Sequence, residues 1–159
     1  MDDIDYAYQY AGKLRSTLYK NSHISDYSFS ASSTSTKRFI IGYSGSSPVL
    51  ILPDNTIGLS GMAIGPDITA IYSTYATSGA SCMTFTIDPI LDNAAGLKFI
   101  SLPWTYVSLK ANTFKGCPLL TSIHFLGPMA RWKELSNDPA WATGSAVKSV
   151  ICWDGTISL

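Results

Sequence analysis

The sequence predicts a mainly β fold, an irregular solenoid of about three to four turns with short helices. The apolar residues of segment 91–102 recur with the same spacing in segment 114–125. A period of about 20–30 residues is typical of repeats in which each turn adds one short strand to a ladder. The dipeptide Leu52-Pro53 returns as Leu102-Pro103. Hydrophobic residues reach 46% and charged residues only 14%, so much of each turn can be buried.

Segment 1–24 has the pattern of an amphipathic helix. Its apolar residues follow one another at steps of three and four between Ile4 and Leu18, which places them on one side of a helix. Acidic residues lie at its start and basic residues toward its end, an order that the helix dipole favours. We expect this helix to cover the open end of the first turn. The alternative is that its apolar stripe packs on a second copy or on a partner.

Segment 25–48 is predicted to be a linker with an edge strand, because it is rich in serine and threonine. The alternation of Tyr27 and Phe29 indicates the edge strand, whereas 31–36 has the composition of a linker or loop. Residues 39–41 are apolar and predict a second short strand.

The repeats are predicted over 49–126, and a capping segment over 127–159. Within the repeats, 72–81 reads as an insertion, and insertions in solenoids form loops on one face that often bind partners. Trp132 and Trp141 are expected to cover the last layer, since an open ladder end invites pairing with other chains.

The most regular part of the chain resembles a known repeat family. In order it contains Leu97-Lys98-Phe99-Ile100-Ser101-Leu102-Pro103, Val107-Ser108-Leu109, and Thr113-Phe114-Lys115-Gly116-Cys117-Pro118-Leu119-Leu120-Thr121-Ser122-Ile123. This order resembles the BspA-like leucine-rich repeat, whose unit reads roughly Leu-x-x-Ile-x-Leu-Pro, Val-x-x-Ile and Ala-Phe-x-Gly-Cys-x-x-Leu-x-x-Ile. In such a unit we expect Gly116 to permit a tight bend and Cys117 to fill a narrow apolar layer.

The end of the chain resembles the closing segment of these arrays. Residues 127–132 are similar to the family's Gly-Thr-x-Ala-x-Trp, and residues 150–157 resemble its final strand with an Asp-Gly turn. The resemblance covers 97–157 well and 49–96 loosely. Three positions depart from the family pattern, namely Ala94, Asn112-Thr113 and Pro128.

The resemblance implies a non-enzymatic interaction or structural protein built on a leucine-rich repeat scaffold. Proteins similar to this family occur on microbial surfaces and among phage-encoded proteins. The small size and the neutral surface favour a phage virion or tail-associated accessory protein. The alternative is a microbial surface adhesin or host-interaction protein, and a small hydrolase is a third and weaker hypothesis. We expect a place on a virion or an extracellular surface rather than a cytoplasmic enzymatic role.

The net charge and the length of the apolar runs argue against a nucleic-acid partner and a membrane span. The net charge is zero, whereas nucleic-acid binding requires a basic face. No stretch is apolar over the 18 or more residues that a membrane span needs, and the acidic start is unlike a signal peptide. A neutral surface rich in Ser, Thr and Tyr repels other copies weakly, so we expect self-association or assembly into a larger particle, with a protein or glycan partner.

The residues that carry catalysis in other proteins form no pattern here. The three cysteines Cys82, Cys117 and Cys152 are widely spaced, which predicts free and buried thiols rather than a zinc site. His124 follows Ile123 on a predicted strand and is therefore expected to point away from the core. A Cys-His pair is conceivable but lacks an orienting third residue. We predict no catalytic residue, no cofactor and no metal.

The aromatic residues are the better functional signal. Trp and Tyr offer large rigid contact areas with a polar group and are enriched at interfaces. The alternative is that they pack on the flank of the solenoid. The candidate interaction surface consists of Tyr43, Tyr72, Tyr75, Trp104 and Tyr106.

Overall fold

The computed structural model describes residues 24–34, 36–73, 84–103, 106–135 and 137–159. The predicted N-terminal helix lies outside the described residues, apart from its last position. Most of the predicted insertion 72–81 also lies outside them, as do Tyr75 and Trp104, and Tyr106 is described only in its backbone.

The described residues form two β-sheets that face each other across one apolar core. The strands are β1 Tyr27–Phe29, β2 Arg38–Tyr43, β3 Val49–Ile51, β4 Thr56–Leu59, β5 Ala70–Tyr72, β6 Thr84–Ile87, β7 Phe99–Leu102, β8 Tyr106–Ser108, β9 Ser122–Phe125, β10 Ser149–Cys152 and β11 Gly155–Ser158. One sheet has five strands in the order β1-β2-β4-β6-β8, and the other has six in the order β11-β10-β9-β7-β5-β3. A short α-helix, α1 Met129–Glu134, follows β9.

Each turn contributes one strand to each sheet. The four turns are β2 with β3, β4 with β5, β6 with β7, and β8 with β9, and neighbouring turns are joined by parallel pairing in both sheets. The prediction of a mainly β solenoid with short helices is therefore confirmed. The solenoid begins at Arg38 rather than at Val49, because β2 pairs in parallel with β4.

Antiparallel hairpins stand at both ends of the solenoid. β1 pairs with β2. Positions 31–34 and 36 of the predicted linker lie between these strands, and Thr34 forms an antiparallel bridge with Lys37. β10 continues the parallel sheet beyond β9, and β11 folds back on β10. At each end of the solenoid, an antiparallel strand thus takes the place of a further parallel one.

The core is built from the apolar residues that the repeat pattern places inward. In the strands, inward Ile100 and Leu102 alternate with outward Phe99, as a period of two requires. The two segments that share apolar spacing form neighbouring layers, and all ten of their repeated positions are fully buried: Leu91, Ala94, Leu97, Ile100, Leu102, Phe114, Cys117, Leu120, Ile123 and Phe125.

A connected set of aromatic rings covers the last turn. The Trp132 ring meets the Phe125 ring edge to face at 5.2 Å and the Trp141 ring at 5.7 Å between centroids. Trp141 in turn contacts Phe114 at 5.9 Å. Both tryptophans are buried. They therefore form the apolar cover that an open solenoid end needs.

One departure from the repeat pattern that the sequence resembles, at Asn112-Thr113, has a structural reason. Asn112 has a φ of 59°, in the left-handed region that asparagine tolerates better than alanine. Its side-chain Nδ2 donates to the carbonyl of Thr143 at 3.0 Å, which ties the last turn to the capping segment. The hydroxyl of buried Thr113 donates to the carbonyl of Lys110 at 2.6 Å. Both polar side chains therefore have hydrogen-bonding partners, Asn112 in the capping segment and Thr113 within its own turn.

Three glycines allow neighbouring turns to approach backbone to backbone. A Cβ on Gly61 would lie 2.3 Å from the carbonyl oxygen of residue 90, one on Gly96 would lie 2.3 Å from that of Pro66, and one on Gly116 would lie 2.3 Å from the carbonyl carbon of Asp92. Gly116 lies outside the left-handed region of φ. Its requirement is therefore the absence of a side chain, not the bend that its sequence context suggested.

We expect Gly116→Ala to destabilise the fold by about 1–3 kcal/mol, the usual cost of overpacking, because the added methyl group meets backbone that cannot rotate away. The matched control is Gly65→Ala, since a Cβ at Gly65 has nothing within 4 Å. Urea unfolding measures both. Equal stability of the two variants would contradict this role of Gly116.

Candidate functional site

Three aromatic rings lie in a row on the outward face of the six-stranded sheet. They belong to Tyr72 on β5, Phe99 on β7 and His124 on β9, three neighbouring parallel strands. Each follows or precedes a fully buried isoleucine, so strand alternation turns each ring away from the core. We call these three residues the aromatic row.

The rings of the aromatic row touch one another. The centroids of Tyr72 and Phe99 are 4.5 Å apart with planes inclined at 28°, a stacked arrangement. The centroids of Phe99 and His124 are also 4.5 Å apart, inclined at 38°. These separations lie within the range of favourable aromatic pairs. All three side chains are half-buried, so mutual packing holds the rings in one continuous ridge.

Ser101 provides the polar anchor beneath this ridge. It lies in register with His124 and is buried although it faces outward. Its hydroxyl accepts a hydrogen bond from the backbone N–H of Ser73 at 2.8 Å and lies 3.3 Å from the carbonyl oxygen of Ser73. Ser73 directly follows Tyr72, so these contacts fix the chain where it leaves β5 and position the first ring of the row.

Aliphatic side chains extend the face on both sides of the row. Ile51 on β3 is in register with Tyr72, and Ile151 on β10 is in register with His124. Both are half-buried, as is Val49. The outward positions of the six-stranded sheet carry no Asp, Glu, Lys or Arg. We call the surface formed by the aromatic row with Val49, Ile51 and Ile151 the outer face.

The two titratable groups of the outer face are neutral at pH 7. Burial lowers the pKa of His124 below its ordinary value of 6.5, because the charged imidazolium loses solvation. Burial raises the pKa of Tyr72 above 10.0 for the corresponding reason. The outer face therefore presents aromatic and aliphatic surface with polar groups that carry no charge.

The residues expected to form an interaction surface do not share one face. Tyr72 lies in the aromatic row. Tyr43 ends β2 in the other sheet, where its ring packs on Tyr27 at 5.3 Å and its hydroxyl donates to the carbonyl of Ser47 at 3.1 Å. The backbone of Tyr106 also belongs to that other sheet, in β8. The remaining two residues lie outside the described part of the chain.

Phe99 and His124 were missed as members of the site, although the sequence carries the signal for them. Each is next to an isoleucine at a repeated core position, so the period of two assigns them to the opposite face. The repeat pattern does not predict the register between neighbouring strands. Only the pairing of β5, β7 and β9 brings their rings together.

The thiol of Cys152 lies on the opposite side of the six-stranded sheet from His124. Cys152 is buried on the inward side of β10, while His124 points outward from the neighbouring strand. Burial raises the pKa of the Cys117 thiol to about 12 and that of the Cys152 thiol to about 11. Both thiols are therefore protonated at neutral pH and are poor nucleophiles.

The structure gives two further findings on the described residues. In residues 24–34, 36–73, 84–103, 106–135 and 137–159, no three His, Cys, Asp or Glu side chains are close enough together to bind a metal ion. The same part of the chain contains no helix with the length and apolarity to cross a membrane.

Comparison with known proteins gives no match, so the fold alone defines the class of this molecule. No family model matches the sequence, and neither a curated protein nor a solved structure matches it. The fold itself defines a β-solenoid of about four turns, closed at each end by an antiparallel hairpin.

We expect the thiols of Cys117 and Cys152 to resist modification in the folded chain, because both are buried and protonated. A Cys82→Ser background isolates them. At pH 8 a thiol reagent such as DTNB should label neither in the native state and both in guanidinium chloride. Rapid labelling of either thiol under native conditions would contradict the burial that sets their pKa.

We expect His124 to make the folded chain less stable as the pH falls. Its folded-state pKa is lowered, so the unfolded chain binds the proton more readily, and stability is lost as the pH falls below about 6.5. His124→Phe keeps a ring beside Phe99 and should reduce the drop in Tm between pH 7.5 and pH 5. A drop of equal size in both proteins would contradict the assignment to His124.

Proposed function

We propose that this chain is a non-enzymatic interaction or structural protein whose outer face binds a protein partner. The observation that carries the proposal is the aromatic row, three rings on neighbouring strands whose centroids lie 4.5 Å apart in both contacting pairs. Interface centres are enriched in aromatic residues and depleted of charge. The outer face combines both properties.

The rigidity of the outer face supports this use. Its side chains project from regular parallel strands, and Ser101 fixes the chain beside the row. A partner therefore meets rings that are already ordered and loses less conformational entropy on binding. Solenoids commonly use the surface formed by successive repeats for such binding.

The chemistry of the outer face defines the partner. It lacks charged side chains, so a complementary surface is apolar and near neutral. Removal of solvent-exposed aromatic area, rather than ion pairing, then provides most of the affinity. Binding should accordingly depend little on salt concentration.

We further propose that the scaffold is a leucine-rich repeat of the BspA-like kind in a phage virion or tail-associated protein. The support for this finer proposal is the repeat sequence and closing segment at residues 97–157. A place on a microbial surface is the competing assignment, because the same resemblance implies both.

The decisive experiment compares two phenylalanines that are both outward and half-buried but lie on different sheets. Phe99→Ala removes the central ring of the aromatic row, whereas Phe39→Ala changes the five-stranded sheet. A photo-crosslinking amino acid at Ser122 reports contacts beside the row, and one at Thr86 reports the opposite sheet. Purified virions and host envelope fractions serve as binding targets.

We expect one protein to crosslink from position 122 but not from position 86. Phe99→Ala should reduce this crosslinking by at least about tenfold, the effect of one interface residue worth roughly 1.4 kcal/mol, while Phe39→Ala should leave it unchanged. Equal crosslinking from both positions, or no effect of Phe99→Ala, would contradict the outer face as the binding surface. Binding to purified glycans that requires Phe99 would replace the protein partner by a carbohydrate.

A further inference from the structure

The last strand of the six-stranded sheet has one edge without a neighbouring strand among the described residues. β11 pairs with β10 so that Ile157 lies opposite Val150 and Gly155 opposite Cys152, and the N–H of Leu159 donates to the carbonyl of Lys148 at 2.9 Å. Antiparallel pairing turns every second residue toward the partner strand. The backbone N–H and C=O groups of Thr156 and Ser158 therefore point away from β10.

These four groups have no hydrogen-bonding partner among the described residues. Thr156 and Ser158 are also exposed in their side chains. β11 lacks three features by which proteins protect a sheet edge, since Gly155 to Ser158 contains no charge, no proline and no bulge.

The opposite edge of the same sheet is protected. At β3, the hydroxyl of Ser47 donates to the carbonyl of Val49 at 2.8 Å and accepts from the N–H of Val49 at 3.1 Å. The hydroxyl of Tyr27 donates to the carbonyl of Ile51 at 2.9 Å. Side chains thus occupy backbone groups that a further strand would need.

The end of the five-stranded sheet is protected as well. Beyond β8, the N–H of Leu109 donates to Oδ1 of Asn137 at 2.8 Å, and its carbonyl accepts from the N–H of Asp138 at 3.0 Å. Local hydrogen bonds thus occupy backbone groups at β3 and directly after β8, whereas the outward groups of β11 have none.

We propose that β11 pairs with β11 of a second copy of this chain, antiparallel and around a two-fold axis at Ile157. In this register Thr156 of each copy lies opposite Ser158 of the other. Their outward N–H and C=O groups then form four hydrogen bonds between the copies. The two Ile157 residues face each other as a non-hydrogen-bonded pair, the pair type in which side chains approach most closely.

Two features favour a second copy over an unrelated strand. Ile157 is half-buried and packs against the core, so its pairing with the same residue covers apolar surface that one copy leaves partly exposed. Exposed Asp154 precedes β11, and exposed Lys148 lies opposite Leu159 at the other end of the hairpin. The two-fold arrangement brings the acidic end of one hairpin to the basic end of the other.

The pairing joins the two six-stranded sheets into one continuous sheet and places two outer faces side by side. The dimer itself does not depend on what the outer face binds. Four hydrogen bonds and one apolar pair make a small interface, which is typical of weak association.

The test measures self-association of the 159-residue chain by sedimentation velocity from about 10 μM to 1 mM, the range suited to a small interface. Thr156→Pro removes an outward N–H that makes no bond within the chain, so it blocks the dimer without removing a ladder bond. Thr156→Lys places a charge at the same edge. The control is Thr84→Lys, because Thr84 is equally an exposed strand residue but lies inside the five-stranded sheet.

We expect the unchanged chain and Thr84→Lys to shift toward dimer as concentration rises. Both Thr156 variants should remain monomeric with an unaltered circular dichroism spectrum. Amide exchange at Thr156 and Ser158 should slow with concentration in the unchanged chain and in Thr84→Lys, and exchange at Ser158 should not slow in the Thr156 variants. A monomer throughout the range, or a dimer that persists in both Thr156 variants, would overturn the proposal. If Thr156→Pro fails to fold, Thr156→Lys and the amide exchange decide.

Discussion

The close stacking of one turn on the next is the constraint on which the rest of this structure depends. Neighbouring turns are joined by parallel strand pairs in both sheets, and between the sheets their backbones come within contact at Gly61, Gly96 and Gly116. A side chain at these positions would separate the turns and lengthen ladder hydrogen bonds that weaken steeply with distance and angle. The repeat must therefore preserve both its apolar residues and its points without a side chain.

Stacking at a constant spacing also creates the outer face. Neighbouring parallel strands lie about 4.8 Å apart, and stacked aromatic rings favour a similar separation. Tyr72 and His124 occupy the register of Ser101, whereas Phe99 precedes Ser101 by two residues on β7. The ring of Phe99 contacts both of the others, with centroids 4.5 Å apart in each pair. Burial in the row keeps His124 neutral. The same geometry that builds the core thus supplies an ordered, uncharged surface for a partner.

The two ends of the solenoid differ in how their apolar core and their backbone edges are covered. At one end a hairpin and the hydroxyls of Ser47 and Tyr27 occupy the edge of β3. At the other end Trp132 and Trp141 cover the core, whereas the backbone edge of β11 is left without side-chain protection. Coverage of apolar surface and coverage of backbone hydrogen-bonding groups are separate requirements, and here only the first is met at the C-terminal end.

The sequence by itself determined the solenoid, its inward layers from Leu91 to Phe125 and the tryptophans that close it, because these follow from local spacing and residue type. It also placed His124 outside the core through strand alternation. Tertiary structure alone decided which outward residues meet, because no local pattern specifies the register between strands that are far apart in sequence. Tyr72 contacts Phe99, which contacts His124, whereas Tyr43 packs on Tyr27 in the other sheet. The tertiary structure also showed that Gly116 must lack a side chain, because its backbone lies against that of Asp92 in the neighbouring turn. Such a contact depends on two segments that are distant in sequence.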